Sequence, residues 1–418
     1  MKHRPRLCRI DSPEEAAALL RRAGVSESGV RLMTPKLGFF VFHLPGVPHT
    51  AATILKQEAL AVGAEAAVHK GLVVRAVEAT DVVLGGTRRQ LDLIAQKLRG
   101  QQFGLGALAD ELAGTLATLD RVPVWRVRGR TPDLSRPLLM GVVNLTEDSF
   151  SGDGVGGDVD AALARCRAML AAGADILDLG AESSRPGSLP ADAGRETERL
   201  LPVVKKLLAE TDAIVSIDTH RPETAEHALE AGAHIVNDIT GLRGLGDCGG
   251  MGQVAARFDA GVIVMHMRGT PRDMQDEPRY DDLGAELHAF FAERLEAAAA
   301  DGIERENIAL DPGLGFGKRL QDNLALINHL EWFAGFGRPL VVGASRKSFI
   351  GALTGAEVGE RLPGTLAAHT AAILRGAHVV RVHDAAGATS SLSNNAFWPR
   401  RDLFIPFVLR ERSGPPAR

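Results

Sequence analysis

From Leu138 onward the hydrophobic pattern takes on a regular beat. A short apolar run rich in β-branched residues ends in polar residues or glycine, a stretch with helical spacing follows, and the unit recurs eight times over about 250 residues. The runs are LLMGVVNLT from Leu138, DILDLGAES from Asp175, AIVSIDTH from Ala213, HIVNDIT from His234, GVIVMHM from Gly261, IALDPGLGF from Ile308, PLVVGASR from Pro339 and HVVRVHD from His378. Strands that alternate with helices in this way belong to the α/β class, and eight is the number that closes a (β/α)8 TIM barrel, here expected over 138–395. A doubly wound open sheet is the alternative, but nothing in the pattern marks a crossover switch point. The helical stretches AALARCRAMLAAGA, TAEHALEAGA and GTLAAHTAAILRGA run into a glycine just before the next strand, as helix C-caps do.

Upstream the pattern is looser. Apolar runs from Gly38 to Leu44 and from Gly71 to Ala76 alternate with helical patterns at Thr50 to Val62 and Arg88 to Leu98, which predicts a small α+β domain over 1–120. Its role is not written in the sequence. Asp81 and the GGTRRQ stretch could bind a ligand, but a turn leading into a solvated helix start is the preferred account. Residues 121–137, RVPVWRVRGRTPDLSRP, carry three prolines and five arginines and read as a linker. Residues 396–418 read as a C-terminal tail.

Composition narrows the class of partner. The 418 residues are 45 % hydrophobic and 24 % charged, with a formal net charge of −4, so no basic field draws the chain to nucleic acid. Cys8, Cys166 and Cys248 are far apart and form no CxxC pair, which predicts inert thiols. No apolar leader region and no uncharged apolar run of about 18 residues occurs, so membrane spanning and export are not expected and the reducing cytoplasm is.

Barrel enzymes place their sites at the C-terminal ends of the strands, and polar residues crowd these positions here. They are Asn144 and Thr146, then Glu182, Ser184 and Arg185, then Asp218, then Asn237 and Asp238, then Asp311, then Ser345, Arg346 and Lys347, and finally Arg381, His383 and Asp384. Singly, Asp218 could be a helix cap and Asn237–Asp238 an Asx-turn. Together they predict a site, because converging charges cost stability unless a ligand uses them. Asp218, Asn237 and Asp311 suit the donor edge of a planar heterocycle, while Lys347, Arg381 and His383 near Asn144 suit a diphosphate with Mg²⁺. The glycines of DPGLGFGK lack the Walker spacing and are expected to permit a mobile loop, with Phe316 free to pack on a bound ring. His266 is expected to line the core.

These motifs resemble the dihydropteroate synthase family. GVVNLTEDSF, GADILDLGAESSRPGS, SIDTHRPETAEHALEAGAHIVNDITGL, MHMRGTPRDMQ, LDPGLGFGK, GASRKSFIG and RVHD follow one another as the family's strand signatures do, over about residues 138–390. The resemblance implies condensation of 6-hydroxymethyl-7,8-dihydropterin diphosphate with 4-aminobenzoate. It implies a pterin site at Asp218, Asn237, Asp311, Lys347 and Arg381, and a diphosphate site at Asn144, Arg381 and His383, with Mg²⁺ on Asn144. It further implies an aminobenzoate pocket, open to sulfonamides, at Ser184, Arg185, Pro186, Phe316, Lys347 and Ser348, and a homodimer. The chain departs from the family at Glu147, where proline is usual, at Gly152–Asp153, at Ala181 and at Ser184. Alternatives of the same fold are a pterin-dependent methyltransferase and a non-catalytic paralogue.

Overall fold

The structure is a computed structural model that describes Cys8, Ile10 and residues 12–119, 121–145, 158–182, 193–245 and 249–392. Thr146, Glu147, Gly152, Asp153, Ser184, Arg185, Pro186, Cys248 and the tail 396–418 lie outside the described residues. The chain divides into two compact units between Val122 and Pro123.

The amino-terminal unit contains α1 (Pro13–Arg22), α2 (Glu27–Met33), β1 (Phe39–Pro48), α3 (His49–Ala61), β2 (Glu65–Val68), β3 (Ala79–Thr87), α4 (Arg88–Leu98) and α5 (Leu105–Leu119). Its antiparallel sheet has the order β1-β3-β2. Val82 and Leu84 of β3 are buried with Leu55, Leu91, Ile94 and Leu105, whereas the intervening Val83 is exposed, so one face of the sheet carries the core. The GGTRRQ stretch closes β3 and opens α4 through a capping box, with Thr87 N donating to Gln90 Oε1 at 2.8 Å. Asp81 accepts from Gly46 N and pairs with His43, both at 3.0 Å. The expected strand from Gly71 to Ala76 is instead a turn. Arg75 is left-handed there (φ 54°), and Val73 and Val74 are exposed because this apolar run has no neighbouring strand to cover it.

The second unit holds eight parallel strands, β4 (Leu138–Asn144), β5 (Ile176–Gly180), β6 (Ile214–Asp218), β7 (Ile235–Asp238), β8 (Gly261–Met265), β9 (Ile308–Asp311), β10 (Val341–Val342) and β11 (Val379–Val382). Around them lie α6 (Val159–Ala171), α7 (Ala193–Glu210), α8 (Pro222–Glu230), α9 (Met251–Arg257), α10 (Leu283–Ala300), α11 (Leu320–Asn328), α12 (Ser348–Thr354), α13 (Leu362–Leu374) and α14 (Ala385–Leu392). Strand order is β10-β11-β4-β5-β6-β7-β8-β9, and a parallel bridge between Leu310 and Leu340 closes the ring as a (β/α)8 barrel. Gly173, Gly232 and Gly376 take left-handed φ values of 94°, 109° and 110° after their helices, the conformation that glycine adopts without a Cβ clash.

Alternation along the strands decides which side chains reach the site. Leu177 and Leu179 of β5, Val215 and Ile217 of β6 and Val143 of β4 pack with Ala162, Leu163, Val204 and Leu207 of the surrounding helices. The opposite parity, Asp178, Gly180, Asp218, Asn237 and Asn144, therefore turns inward.

Within 121–137, expected as a linker, residues 125–136 are bonded to the residues that precede the strands. Trp125 is fully buried and donates Nε1 to Asn307 O at 3.0 Å. Arg128 donates to Ala233 O at 2.8 Å, Arg130 to Asp212 O at 2.8 Å and Arg136 to Asp175 Oδ2 at 3.0 Å. The arginines thus satisfy carbonyls and carboxylates on the N-terminal face of the barrel.

Candidate active site

Parallel pairing sets Asn144 beside Gly180, Gly180 beside Asp218 and Asp218 beside Asn237. These residues form one inward tier at the C-terminal ends of β4 to β7. Arg381, which pairs with Met140, starts lower and extends toward this tier. Its Nε donates to Asp178 Oδ2 at 2.5 Å and its Nη2 donates to Asp218 Oδ2. The same Oδ2 of Asp178 accepts from Asn237 Nδ2 at 3.2 Å. Asp178, fully buried, thereby orients both Arg381 and Asn237. Its position in the middle of DILDLG hid it from sequence reasoning, although its parity with Gly180 was a usable signal.

Burial pushes the Asp218 carboxyl up to about 6, the Arg381 charge opposing this and the Asp178 charge adding to it. Burial also raises Asp311, against the pull of Lys347. Burial lowers Lys347 to about 8, with Asp311 resisting. Three acids, Asp178, Asp218 and Asp311, thus face two cations, Arg381 and Lys347, and Arg381 is shared by two of them.

Asp311 ends β9 and accepts from Gly313 N at 2.7 Å, which begins the glycine-rich turn. A Cβ on Gly313 would lie 2.0 Å from His266 O, and one on Gly317 2.4 Å from Arg268 O, both at positive φ. These glycines permit close contact with the chain after β8, so they tie the expected mobile loop down. Lys318, 3 % exposed, closes it from beneath: Nζ bonds His266 Nδ1 at 3.0 Å, His266 O at 3.3 Å and Phe316 O at 3.0 Å. His266 is buried as expected, and burial together with the Lys318 charge lowers it to about 2, so it is a neutral acceptor. Phe316 packs with Ile239, Met265, Met267 and Met274, and Lys347 Nζ lies 4.5 Å from its ring centroid.

Lys347 is presented by a strained turn. Arg346 has φ 57°, and its N–H donates to Thr365 Oγ1 at 3.1 Å while its carbonyl accepts from Arg361 Nη1 at 3.1 Å. Ala344 N donates to Nε2 of His369 at 3.1 Å, one helical turn beyond Thr365 on α13. Burial lowers this imidazole to about 3, which keeps it neutral and able to accept. The turn directs Nζ to Leu314 O.

The structure therefore brings together Asp218, Asn237, Asp311, Lys347 and Arg381. Asn144 is adjacent, with Oδ1 3.8 Å from a Cβ built on Gly180. His383 follows β11, its N–H donating to Ser345 Oγ at 3.2 Å and its carbonyl accepting from Arg165 at 2.7 Å. Asp238 does not join them; it accepts from Thr240 N at 2.8 Å and Leu242 N at 2.9 Å and closes an Asx-turn. Ser348 opens α12 and, with Lys318, Arg319, Asn323 and Gln275, lines a cavity of about 690 Å³ beside the glycine-rich turn.

Residues 140–383 match the family model for pterin binding enzymes. The dihydropteroate synthase of Escherichia coli is 42 % identical over 257 residues, 62 % of this chain and 90 % of that protein. A bifunctional dihydropteroate synthase/dihydropteroate reductase of Helicobacter pylori is 37 % identical over 376 residues, 89 % of this chain and 94 % of its own, so the likeness extends well upstream of the barrel. The solved dihydropteroate synthase of Xanthomonas albilineans in complex with 7,8-dihydropteroate is 39 % identical with a TM-score of 0.58, covering 65 % of this chain and 97 % of that one. Matched through the whole barrel in sequence and in shape, the chain belongs to the dihydropteroate synthases, pterin-binding transferases of folate biosynthesis.

Proposed function

We propose that the barrel mouth divides its polar residues between the two substrates of the condensation. The observation that carries this division is the network in which Asp178 holds both Arg381 and Asn237 while Arg381 also holds Asp218. With Nδ2 of Asn237 committed to Asp178, its Oδ1 is the atom offered to a donor edge. Asp218 and Asp311 supply further acceptors, which suits the amino and ring N–H groups of a pterin. Arg381 lies against the ring, and its Nη1, which has no hydrogen bond among the described residues, remains for an anionic group.

Diphosphate falls to Asn144, Arg381 and His383. Asn144 would supply a single oxygen of the chain's own to the metal. This fits Mg²⁺, which keeps waters and substrate phosphates in its shell. When bound it would neutralise charge on the departing diphosphate. Ser184, Arg185, Pro186, Phe316, Lys347 and Ser348 form the aminobenzoate pocket, where sulfonamides compete.

The chain's own contribution is electrostatic and positional. Diphosphate leaves toward Asn144, Arg381 and His383, the pterin stabilises the cation at its exocyclic methylene, and the aryl amine attacks without a general base. Loss of one such contact costs about 3 kcal/mol, roughly a hundredfold in rate. Arg381→Ala and Asn144→Ala should show this loss with an unchanged far-ultraviolet circular dichroism spectrum, and near-normal turnover in either would refute its role. The active form is proposed to be a cytoplasmic homodimer paired through outer helices that include Leu366–Leu374, a surface on which Leu374 is 65 % exposed. Sedimentation equilibrium at a monomer's mass would refute the pairing.

A further inference from the structure

The glycine-rich turn after β9 is buried from Asp311 to Leu314 and again at Phe316 and Gly317, so its carbonyls need protein donors in place of water. Four successive carbonyls each receive one side chain. Leu314 O accepts from Lys347 Nζ, Gly315 O from Gln275 Nε2 at 2.8 Å, Phe316 O from Lys318 Nζ at 3.0 Å and Gly317 O from Tyr280 Oη at 2.8 Å. Gln275 and Tyr280 both belong to the β8–α10 connection, residues 266–282. That connection therefore grips the turn at the carbonyl before Phe316 and at the one after Phe316's own.

The turn cannot fix its own course. Gly313, Gly315 and Gly317 take φ values of 67°, 79° and 64° and have no side chains to lock them. Phe316 packs against Ile239, Met265, Met267 and Met274, and three methionines make an adaptable wall that buries the ring without defining one position for it. The ties on the neighbouring carbonyls supply that definition. Of the two outside ties, Tyr280 is the firmer, for Gln275 is exposed and Tyr280 is half-buried. The Arg268 guanidinium lies 4.7 Å from the Tyr280 ring centroid and donates to Glu286 Oε2 at 2.7 Å, while Asp281 N donates to Glu286 Oε1 at 2.8 Å. Glu286 stands in the first turn of α10, so the hydroxyl is delivered from a helix end. Burial pushes its ionisation up, which keeps it a donor at neutral pH.

We propose that Tyr280 is a positioning residue for the aminobenzoate side of the site, setting Phe316 by holding the carbonyl of Gly317. The inference rests on the assignment of Phe316 to the aminobenzoate pocket. Tyr280 acts through the turn; the pterin acceptor Asp311 is placed by β9, upstream of the carbonyls that Tyr280 and Gln275 hold.

The test uses the full-length protein and the variants Tyr280→Phe, Gln275→Met and Phe316→Leu. Steady-state kinetics with each substrate varied are combined with hydrogen exchange of the peptide covering 311–319, where Gly313 N, Gly315 N and Phe316 N are all hydrogen-bonded. Tyr280→Phe deletes one hydrogen bond and keeps the ring against Arg268. It should raise KM for 4-aminobenzoate about threefold to tenfold, the effect of one such bond. KM for pterin diphosphate should stay at the parent value. Exchange over 311–319 should quicken while that of β6 and β7 does not, and Gln275→Met should show the same pattern at smaller size. Unchanged exchange and aminobenzoate KM in Tyr280→Phe would overturn the proposal. So would equal losses for both substrates with faster exchange throughout the barrel, the mark of a residue that only stabilises. Faster exchange over 311–319 with an unchanged aminobenzoate KM would overturn it too, provided that Phe316→Leu raises that KM. If Phe316→Leu leaves it unchanged, the pocket assignment fails, and the exchange result still decides whether Tyr280 sets the turn.

Discussion

Replacing Asp178 by asparagine isolates the residue that holds both Arg381 and Asn237. Asp178 is fully buried, and one of its oxygens, Oδ2, accepts both from Arg381 Nε at 2.5 Å and from Asn237 Nδ2 at 3.2 Å. Its other oxygen has no hydrogen-bond partner among the described residues. In Asp178→Asn the amide oxygen can take over both donors, but the charge facing Arg381 is gone and an NH2 group is buried without a partner. Removing one member of a buried ion pair costs about 3–5 kcal/mol. Arg381 keeps Asp218, so the lower end applies, about 3 kcal/mol, and a barrel of this size should lose roughly 6–12 °C in Tm. Turnover should fall by about a hundredfold, because the neutral amide no longer holds the Arg381 guanidinium by charge. Differential scanning fluorimetry and a coupled diphosphate assay read the two effects. A variant that melts with the parent and turns over normally would refute the claim that Asp178 organises the site.

Three further outcomes follow from the same geometry. Asp218 is ionised above about 6 and Lys347 protonated below about 8, so kcat/KM for pterin diphosphate should be bell-shaped with limbs near those values. Asp178→Asn should move the acid limb down, since the Asp178 charge helps to raise Asp218; a flat profile from pH 5 to 9 contradicts this. Trp125→Ala should cost about 3–5 kcal/mol, and a truncation beginning at Leu138 should melt below one beginning at Pro123, as seen by calorimetry. Gly313→Ala places a methyl 2.0 Å from His266 O at a left-handed φ, so the turn must shift; activity should fall steeply, and wild-type KM values would refute the close fit.

Most of the barrel could be read from the chain because each strand alternates outward apolar residues with inward ones and then stops at polar residues. That rule brought Asp218, Asn237, Asp311, Lys347 and Arg381 to one mouth. It did not reveal Asp178, an acid inside an apolar strand whose partner Arg381 lies 203 residues away. Nor did it reveal His369 and Thr365, which sit in an apolar helix and act on backbone N–H groups of another element. Segment 123–137 misled for a different reason: its prolines and arginines have linker composition, but the arginines serve carbonyls at the barrel base. In the amino-terminal unit, Gly71 to Ala76 had strand-like residues without a strand to pair with, which local pattern cannot show.

The reaction assigned to the barrel joins a pterin diphosphate to an aryl amine in one mouth and releases diphosphate. The direct measurement is product stoichiometry: full-length protein, 6-hydroxymethyl-7,8-dihydropterin diphosphate, 4-aminobenzoate and Mg²⁺, with dihydropteroate followed by chromatography and diphosphate by a coupled assay. The two products should appear in equal amounts and vanish together in Asn237→Ala. No dihydropteroate, or diphosphate released without it while the amine is present, would refute that reaction.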